Sequence, residues 1–406
     1  MTNVIFAAPL LSENAARSIG AILALDDVRL GVISMEPLEK LAPALQNQIA
    51  AHWRLDDVLN IEDLAGAVEQ LSRRLGRVDR LFAAYEQLQV PIAEVRERFG
   101  IEGMRVETAH NFRDKARMKK LFSQYGLPCA RHRRASTAQE AWSFAEENGY
   151  PVVVKPVAGA GAQQTFRCDD FQQLETALRI SEPSREQPVL LEEYIVGDEH
   201  SMESITVGGE TVWQSLTHYY PTPLEVVRNR WIQWCIVLPR EVDQHRYDDI
   251  RSAAARALQV LGMDTGLTHM EWFRRRDGTV AISEVAARPP GAQIMSLISY
   301  ANDIDFERLW ARVMVMGKFD RPVQKWATGA AFLRGQGEGR VRAIHGLEEA
   351  QKGLGDVVVE SRLPVIGQPA ASTYEGDGFI IVRHEETSVV EEALKHLISS
   401  IRVELS

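Results

Sequence analysis

The stretch Leu267–Arg288 reads LTHMEWFRRRDGTVAISEVAAR, two strand-like runs on either side of Asp277-Gly278. A D-G pair in that place favours a two-residue type I′ turn. Such a turn sets Arg276 opposite Thr279, and the pairing that follows puts Glu271 opposite Glu284, His269 opposite Ala286 and Leu267 opposite Arg288. Strand alternation then gathers His269, Glu271, Glu284, Ala286 and Arg288 on one face. Like charges directly opposite on a hairpin are destabilising by up to about 1 kcal/mol unless a cation lies between them. Two carboxylates, completed by phosphate oxygens and water, form the hard oxygen shell that Mg²⁺ prefers. The same residues also suit a solvated acidic pair with Arg274 and Arg288 as counterions.

Upstream, Pro151–Thr165 reads PVVVKPVAGAGAQQT, a valine-rich strand that ends in Lys155 and runs into a loop with Gly159 and Gly161 among alanines. Small residues let backbone N–H groups approach phosphate oxygens closely. A plain turn would have the same composition. A lysine closing an apolar strand is costly to bury without an anion, so a phosphate partner is the physical expectation, with snorkelling as the alternative. Next comes LLEEYIVGDEHS, an apolar strand reaching Glu192, Glu193, Tyr194 and Ile195, with Glu199 beyond Gly197. A strand end of this kind offers backbone groups to a base and a carboxylate to ribose hydroxyls, or is only a strand leaving a sheet.

Around these segments the chain reads as two or three domains, since 406 residues exceed what one core usually organises. From Asn3 to about Thr108, short apolar runs alternate with helical patterns, as in an open parallel sheet. No G-x-G-x-x-G follows the first strand, so this Rossmann-like part lacks the dinucleotide fingerprint. Lys115–Tyr125 predicts a helix closed by Gly126, with Pro128 beyond it. Strands at Val152–Pro156 and Val189–Ile195 flank a helix over about 169–180. Aromatic-rich strands near 201–238, a helix near 244–262 and the hairpin follow, then further strand and helix patterns.

Composition narrows the partners. A formal charge of −10 argues against nucleic acid, which is bound through basic patches. Cys129, Cys168 and Cys235 lie far apart, without the spacing of a zinc site or disulfide framework. The N-terminus has no Lys or Arg before Arg17 and reads as a buried strand, not a signal peptide. No apolar run is long enough to span a bilayer. A cytoplasmic protein acting on small molecules is expected, with a homodimer as the base-rate assembly.

Taken in order, Lys115, the KPVAGAGA loop, EEYIVGDE, HME and EVAAR resemble the ATP-grasp superfamily over roughly residues 1–320. The T-H-x-E element and the tail of about 80 residues look most like the amino-acid (carboxylate–amine) ligases. The resemblance implies α/β and α+β architecture: a Rossmann-like pre-ATP-grasp domain over 1–108, a two-lobed ATP-grasp domain over 109–325 and a small C-terminal α+β subdomain over 326–406. It also implies a C–N ligase that uses ATP and Mg²⁺, or Mn²⁺ in its place, and releases ADP and phosphate. Lys115 and Lys155 would hold the α- and β-phosphates, and Gly159, Ala160, Gly161 and Ala162 would close over the β/γ side. Glu192 and Ile195 would meet the adenine, with Glu193 and Tyr194 between them in the nucleotide site, and Glu199 would meet the ribose. Glu271 and Glu284 match the metal carboxylates, and Arg288 the arginine that steadies the transferred phosphate. The family pattern is E-x-N-x-R, whereas this chain has Ala286 at the Asn position, which cannot ligate a second ion.

In such chemistry the amine attacks as a neutral base, and His269 is a candidate to take its proton, although a lone hairpin His is as often structural. Tyr219, Tyr220, Trp231 and Trp234 are expected to wall a substrate pocket or to fill a core. Arg228 and Arg230 are a carboxylate clamp or solvated charges, and Pro289-Pro290-Gly291 a bend that holds Gln293 near the reacting groups. Two alternatives share the core: a carboxylase using bicarbonate, and a non-catalytic nucleotide-binding protein.

Overall fold

The computed structural model describes residues 1–159, 164–229, 231–371 and 373–406. Four parallel strands open the chain: β1 (Thr2–Ala8), β2 (Val28–Ser34), β3 (Ala51–Arg54) and β4 (Arg80–Phe82), in the order β3-β2-β1-β4. Val4, Phe6 and Leu30 face one core and Ile5, Ala7 and Ile33 another, as a sheet covered on both faces requires. The order reverses between β1 and β4. The loops leaving their carboxyl ends meet there, with Ser12 Oγ 3.2 Å from Tyr85 Oη.

A second sheet is antiparallel, in the order β5-β8-β6-β7, with β5 (His132–Ala135), β6 (Val152–Pro156), β7 (Phe166–Cys168) and β8 (Val189–Glu193). Helices Ala138–Asn148 and Phe171–Ser181 cover it through Phe144, Leu174 and Leu178. The expected helix after Lys115 spans Lys115–Gln124 and is followed by Gly126 at φ +65°.

The largest sheet has eight antiparallel strands in the order β13-β12-β9-β10-β11-β14-β18-β17. Its strands are β9 (Gly197–Val207), β10 (Glu210–Tyr220), β11 (Trp234–Leu238), β12 (Gly266–Arg275), β13 (Val280–Ala286), β14 (Ala327–Leu333), β17 (Val358–Arg362) and β18 (Gly378–His384). A small sheet, β15 (Gly335–Gln336), β19 (Arg402–Leu405) and β16 (Val341–His345), lies beside it in the chain's last third. The tail from 326 onward therefore extends the large sheet through β14, β17 and β18. One apolar cluster joins Phe6 and Phe82 of the first sheet to Ile205, Trp234, Trp310, Phe332 and Ile381. Among the described residues, no helix is long and apolar enough to cross a membrane.

The hairpin β12–β13 differs from its sequence reading at the turn. Arg275, not Arg276, faces Thr279: its N–H donates to Thr279 O at 2.8 Å, and Gly278 N–H to Arg275 O at 2.9 Å. The loop thus has three residues, 276–278, with Gly278 at φ +85°, the left-handed position that such a loop assigns to glycine. A bulge between Glu271 and Trp272 takes up the difference, because Trp272 pairs with Ile282 and leaves Ser283 without a partner position. Beyond it the expected pairs return: Glu271 faces Glu284 and His269 faces Ala286. Pairing stops at Ala286, so Arg288 lies past the ladder and does not pair with Leu267.

Candidate active site

Helix Lys115–Gln124 starts at Asp114, whose carboxylate accepts from Arg117 N at 2.9 Å. One turn apart on it, Lys115 and Lys119 reach the same region from one side, a spacing set by the helical period. Lys155, on β6, reaches it from the sheet. Glu192 on β8 receives both Lys119 at 2.9 Å and Lys155 at 2.8 Å. Burial works to raise the Glu192 pKa, but the two ammonium groups pull it down to about 2. Burial likewise opposes the charge on Lys155, and Glu192 and Glu284 more than restore it. The anion that the sequence demanded for Lys155 is thus present within the chain. Lys119, wholly buried and also donating to Ile282 O at 3.1 Å, was missed by sequence reasoning.

Glu284 lies 3.3 Å from Lys115 and 4.0 Å from Lys155. Burial opposes its ionisation, yet those lysines hold its pKa below the ordinary value. Glu199 faces the same cleft, buried, and receives no hydrogen bond or ion pair from the described residues. Burial, then the charge of Glu271, pushes its pKa well above the usual carboxylate range. Three carboxylates, Glu199, Glu271 and Glu284, therefore share a region whose lysines stand on the Glu284 side. The described residues hold no group of three or more His, Cys, Asp or Glu placed to bind a metal ion, so a cation here would rest on the opposed pair Glu271 and Glu284 and on ligands from outside the chain.

His269 is held by Glu203, a second residue the sequence reading did not single out. Glu203 is fully buried on β9 and accepts from His269 Nδ1 at 2.8 Å, Ser201 Oγ at 2.8 Å and Ser215 Oγ at 3.0 Å. The other ring nitrogen of His269 lies 3.8 Å from Glu271. Burial disfavours charge on this ring, but the bonds and charges of Glu203 and Glu271 raise its pKa to about 9. With Nδ1 on Glu203 and Nε2 toward Glu271, the ring is engaged on both sides, which runs against the base role considered for His269.

Ile195 is buried against Ala130, Ala281 and Phe273 and lines the cleft with Ser283. Glu193 turns to Arg131 and Arg275, each at 2.8 Å, and Arg167 stacks over Tyr194 at 4.2 Å. The carbonyl of Gly159 accepts from Lys115 Nζ at 2.9 Å and Arg113 Nη1 at 3.2 Å. Ala160, Gly161 and Ala162 lie outside the described residues, as does Arg230. Of the four aromatic residues, Tyr219 and Trp234 line the cleft beside Leu224 and Ile294, whereas Tyr220 borders a different hollow and Trp231 is 68% exposed. Arg228 is exposed and outside the cleft lining. The tail contributes Tyr374, whose ring meets Trp234 edge-on at 4.9 Å.

Arg288 lines the cleft, donating through Nε to Glu86 at 3.1 Å and through Nη1 to Pro289 O at 2.9 Å. Beyond it the bend after Pro290 carries Ala292 and Gln293 at φ +53° and +57°, a left-handed pair costly for residues with a Cβ. Glu375 secures it by accepting from Ala292 N at 3.0 Å. Gln293 faces a second pocket, shared with Tyr85, Glu307 and Glu375, that adjoins the cleft through Arg288, Gly291 and Ala292.

Buried lysines and the opposed carboxylates Glu271 and Glu284 thus line one cleft. Residues 120–300 match the model of the ATP-grasp domain. The chain carries an ATP-grasp domain over these residues. Among curated relatives of this chain, an L-arginine-specific L-amino acid ligase of Bacillus subtilis is 24% identical over 258 residues, 61% of this chain and 61% of that protein. Alanine–anticapsin ligase of Bacillus subtilis (strain 168) is 25% identical over 289 residues, 63% of this chain and 59% of that protein. The chain spans less than two thirds of the length of these relatives. The structure of an L-amino acid ligase from Bacillus licheniformis superposes with a TM-score of 0.77 at 20% identity, covering 100% of this chain and 99% of that one, a likeness of fold.

Proposed function

We propose that this ATP-grasp chain is an ADP-forming carboxylate–amine ligase that joins an amino acid or similar carboxylate to an amine through an acyl phosphate. The observation that carries this reading is the opposed pair Glu271 and Glu284, with Lys115, Lys155 and Arg288 lining the same cleft. Phosphoryl transfer needs positioning and charge neutralisation more than covalent help, and this set supplies both. In the proposal, Lys115 and Lys155 exchange their carboxylate partners for the α- and β-phosphates of ATP. Glu199 takes the ribose hydroxyls, and Glu192, Glu193, Tyr194 and Ile195 border the adenine. Glu271 and Glu284 would hold Mg²⁺, or Mn²⁺ in its place, which when bound would neutralise charge on the transferred phosphoryl group.

Arg288 faces the acceptor carboxylate and stabilises the charge that develops as its oxygen attacks the γ-phosphorus. The amine, arriving neutral, then attacks the acyl carbon, and phosphate leaves. His269, charged and tied to Glu203, serves to orient Glu271 in this scheme. The pocket beyond Arg288 opens at the carboxyl ends of β1 and β4, where the first sheet reverses its order, a position at which open α/β sheets take ligands.

The three-part division at 108 and 325 belongs to the same proposal, with β14, β17 and β18 supporting a tail built onto the ATP-grasp sheet. Three cysteines without a disulfide agree with a reducing, cytoplasmic setting. A homodimer rests on the base rate for such enzymes. Incubation with Mg²⁺, ATP and pooled amino acids, with and without bicarbonate, tests the function. ADP release that requires amino acids is expected. Release that follows bicarbonate alone would make the chain a carboxylase, and no release a nucleotide-binding protein.

A further inference from the structure

The N-terminal sheet has no glycine fingerprint, yet one of its residues reaches the reaction centre. Glu86 opens the single turn Glu86–Leu88 after β4 and is 6% exposed. A carboxylate so buried needs donors. It has Arg113 Nη1 at 3.0 Å on one oxygen and Arg288 Nε at 3.1 Å on the other. Arg113 in turn donates to Gly159 O at 3.2 Å, at the root of the glycine loop. With Nε on Glu86 and Nη1 on Pro289 O, Arg288 keeps its Nη2 edge without a described partner, and the residue lines the cleft.

We propose that Glu86 is a positioning residue, a carboxylate of the N-terminal sheet that fixes the Arg288 guanidinium toward the cleft and ties it through Arg113 to Gly159. The assignment rests on the reading of Arg288 as the group that meets the transferred phosphoryl. An arginine has a long, rotamer-rich side chain, and one already held in place need not be ordered during each turnover. One carboxylate shared by two guanidiniums leaves the cluster with a net positive charge, so Arg288 stays attractive to an anion. The N-terminal domain thereby acquires a part in the chemistry.

The test is Glu86→Gln, nearly isosteric, which replaces one accepting oxygen by an NH₂ that faces an arginine. Expected is a fall in kcat of at least about tenfold with KM for ATP within about threefold, the split of an interaction made chiefly in the transition state. In an Arg288→Lys background the same substitution should cost less than about twofold, because a residue that acts through another is silent once that one is gone. A similar loss in both backgrounds, or a kcat like that of the wild type, overturns the proposal. Should Glu86→Gln fail to fold, Glu86→Asp keeps the charge but draws it back from Arg288, and the same split, at least about threefold in kcat, is required of it. If the wild type forms no ADP with any acid and amine, the ligase reading fails and Glu86 is judged by binding. Glu86→Gln must then weaken AMP-PNP with Mg²⁺ by about two- to threefold while leaving ADP affinity unchanged, since Arg288 faces the γ-phosphate. Unchanged affinity for both nucleotides overturns the assignment.

Discussion

Replacing Lys119 by methionine should destabilise the nucleotide-free protein more than any change at an exposed lysine. The ammonium is wholly buried, 2.9 Å from Glu192 and 3.1 Å from Ile282 O. Removing one partner of a buried ion pair costs about 3–5 kcal/mol, because a charge is left behind in a low dielectric. Lys155 remains at 2.8 Å from the other oxygen of Glu192. That residual pairing places the expected loss at the low end, about 3 kcal/mol. Methionine is close to lysine in volume, so little cavity penalty adds to it. If the proposed domain over 109–325 unfolds as one cooperative unit, in the range of about 150–250 residues, the loss corresponds to a drop of roughly 6–12 °C in Tm. The acid limb gives a second reading. The folded pKa of Glu192 is depressed to about 2, so its contribution is present above the unfolded value, about 4.3, and is lost as pH falls from there through the folded value. Lys119→Met raises the folded value and so flattens that limb. Thermal unfolding at pH 7 and between about pH 2 and 5 measures both effects. A midpoint at pH 7 within about 1 °C of the wild type would refute the reasoning.

Lys155→Ala should weaken ATP binding by more than about tenfold, measured by titration, since a charge-assisted contact contributes about 1.5–3 kcal/mol. Its nucleotide-free Tm should fall as well, because Glu192 loses one of its two lysines. Glu271→Gln and Glu284→Gln should each lower turnover by at least about a hundredfold while nucleotide affinity changes less, as steady-state kinetics and titration will show. In chelator their Tm values should diverge: Glu284→Gln breaks ion pairs with Lys115 and Lys155 and falls, whereas Glu271→Gln loses the looser His269 contact but relieves repulsion at Glu199 and falls less. Gly197→Ala would place a Cβ 2.2 Å from Arg274 O, so β9 and β12 must part, and a loss of about 1–3 kcal/mol in denaturant unfolding is expected.

The opposed carboxylates were legible because strand alternation is a local rule, yet the register came out right through two compensating differences. The D-G pair gave a two-residue turn where three residues form the loop, and the bulge at Ser283 shifted the strands back before Glu271. Nothing in the sequence marked that bulge. Lys119 carried a readable signal, its spacing of one helical turn from Lys115, but a lysine on a charged helix reads as solvated until tertiary packing buries it. Glu203 sat in plain view within the long run HSMESITV, at an alternate position of a strand with both faces covered, where an acidic residue requires donors. Ser201 and Ser215 were too ordinary to point to it. Glu86 was out of reach, since its partners Arg113 and Arg288 come from segments 27 and 202 residues away. The aromatic segment divided for a similar reason: Tyr219 and Trp234 face the cleft and Tyr220 does not, by the alternation of β10, while Trp231 follows a helix that the proline turn did not disclose.

The acyl-phosphate route is tested most directly by following oxygen. Amino acids labelled with ¹⁸O in the carboxylate, supplied with Mg²⁺, ATP and an amine, pass one labelled oxygen to the phosphate if the carboxylate attacks the γ-phosphorus and the amine then displaces phosphate. The account predicts ADP as the nucleotide product and one ¹⁸O in each released phosphate, read by mass spectrometry. Label in AMP with release of pyrophosphate, or phosphate formed with no label at all, would contradict it.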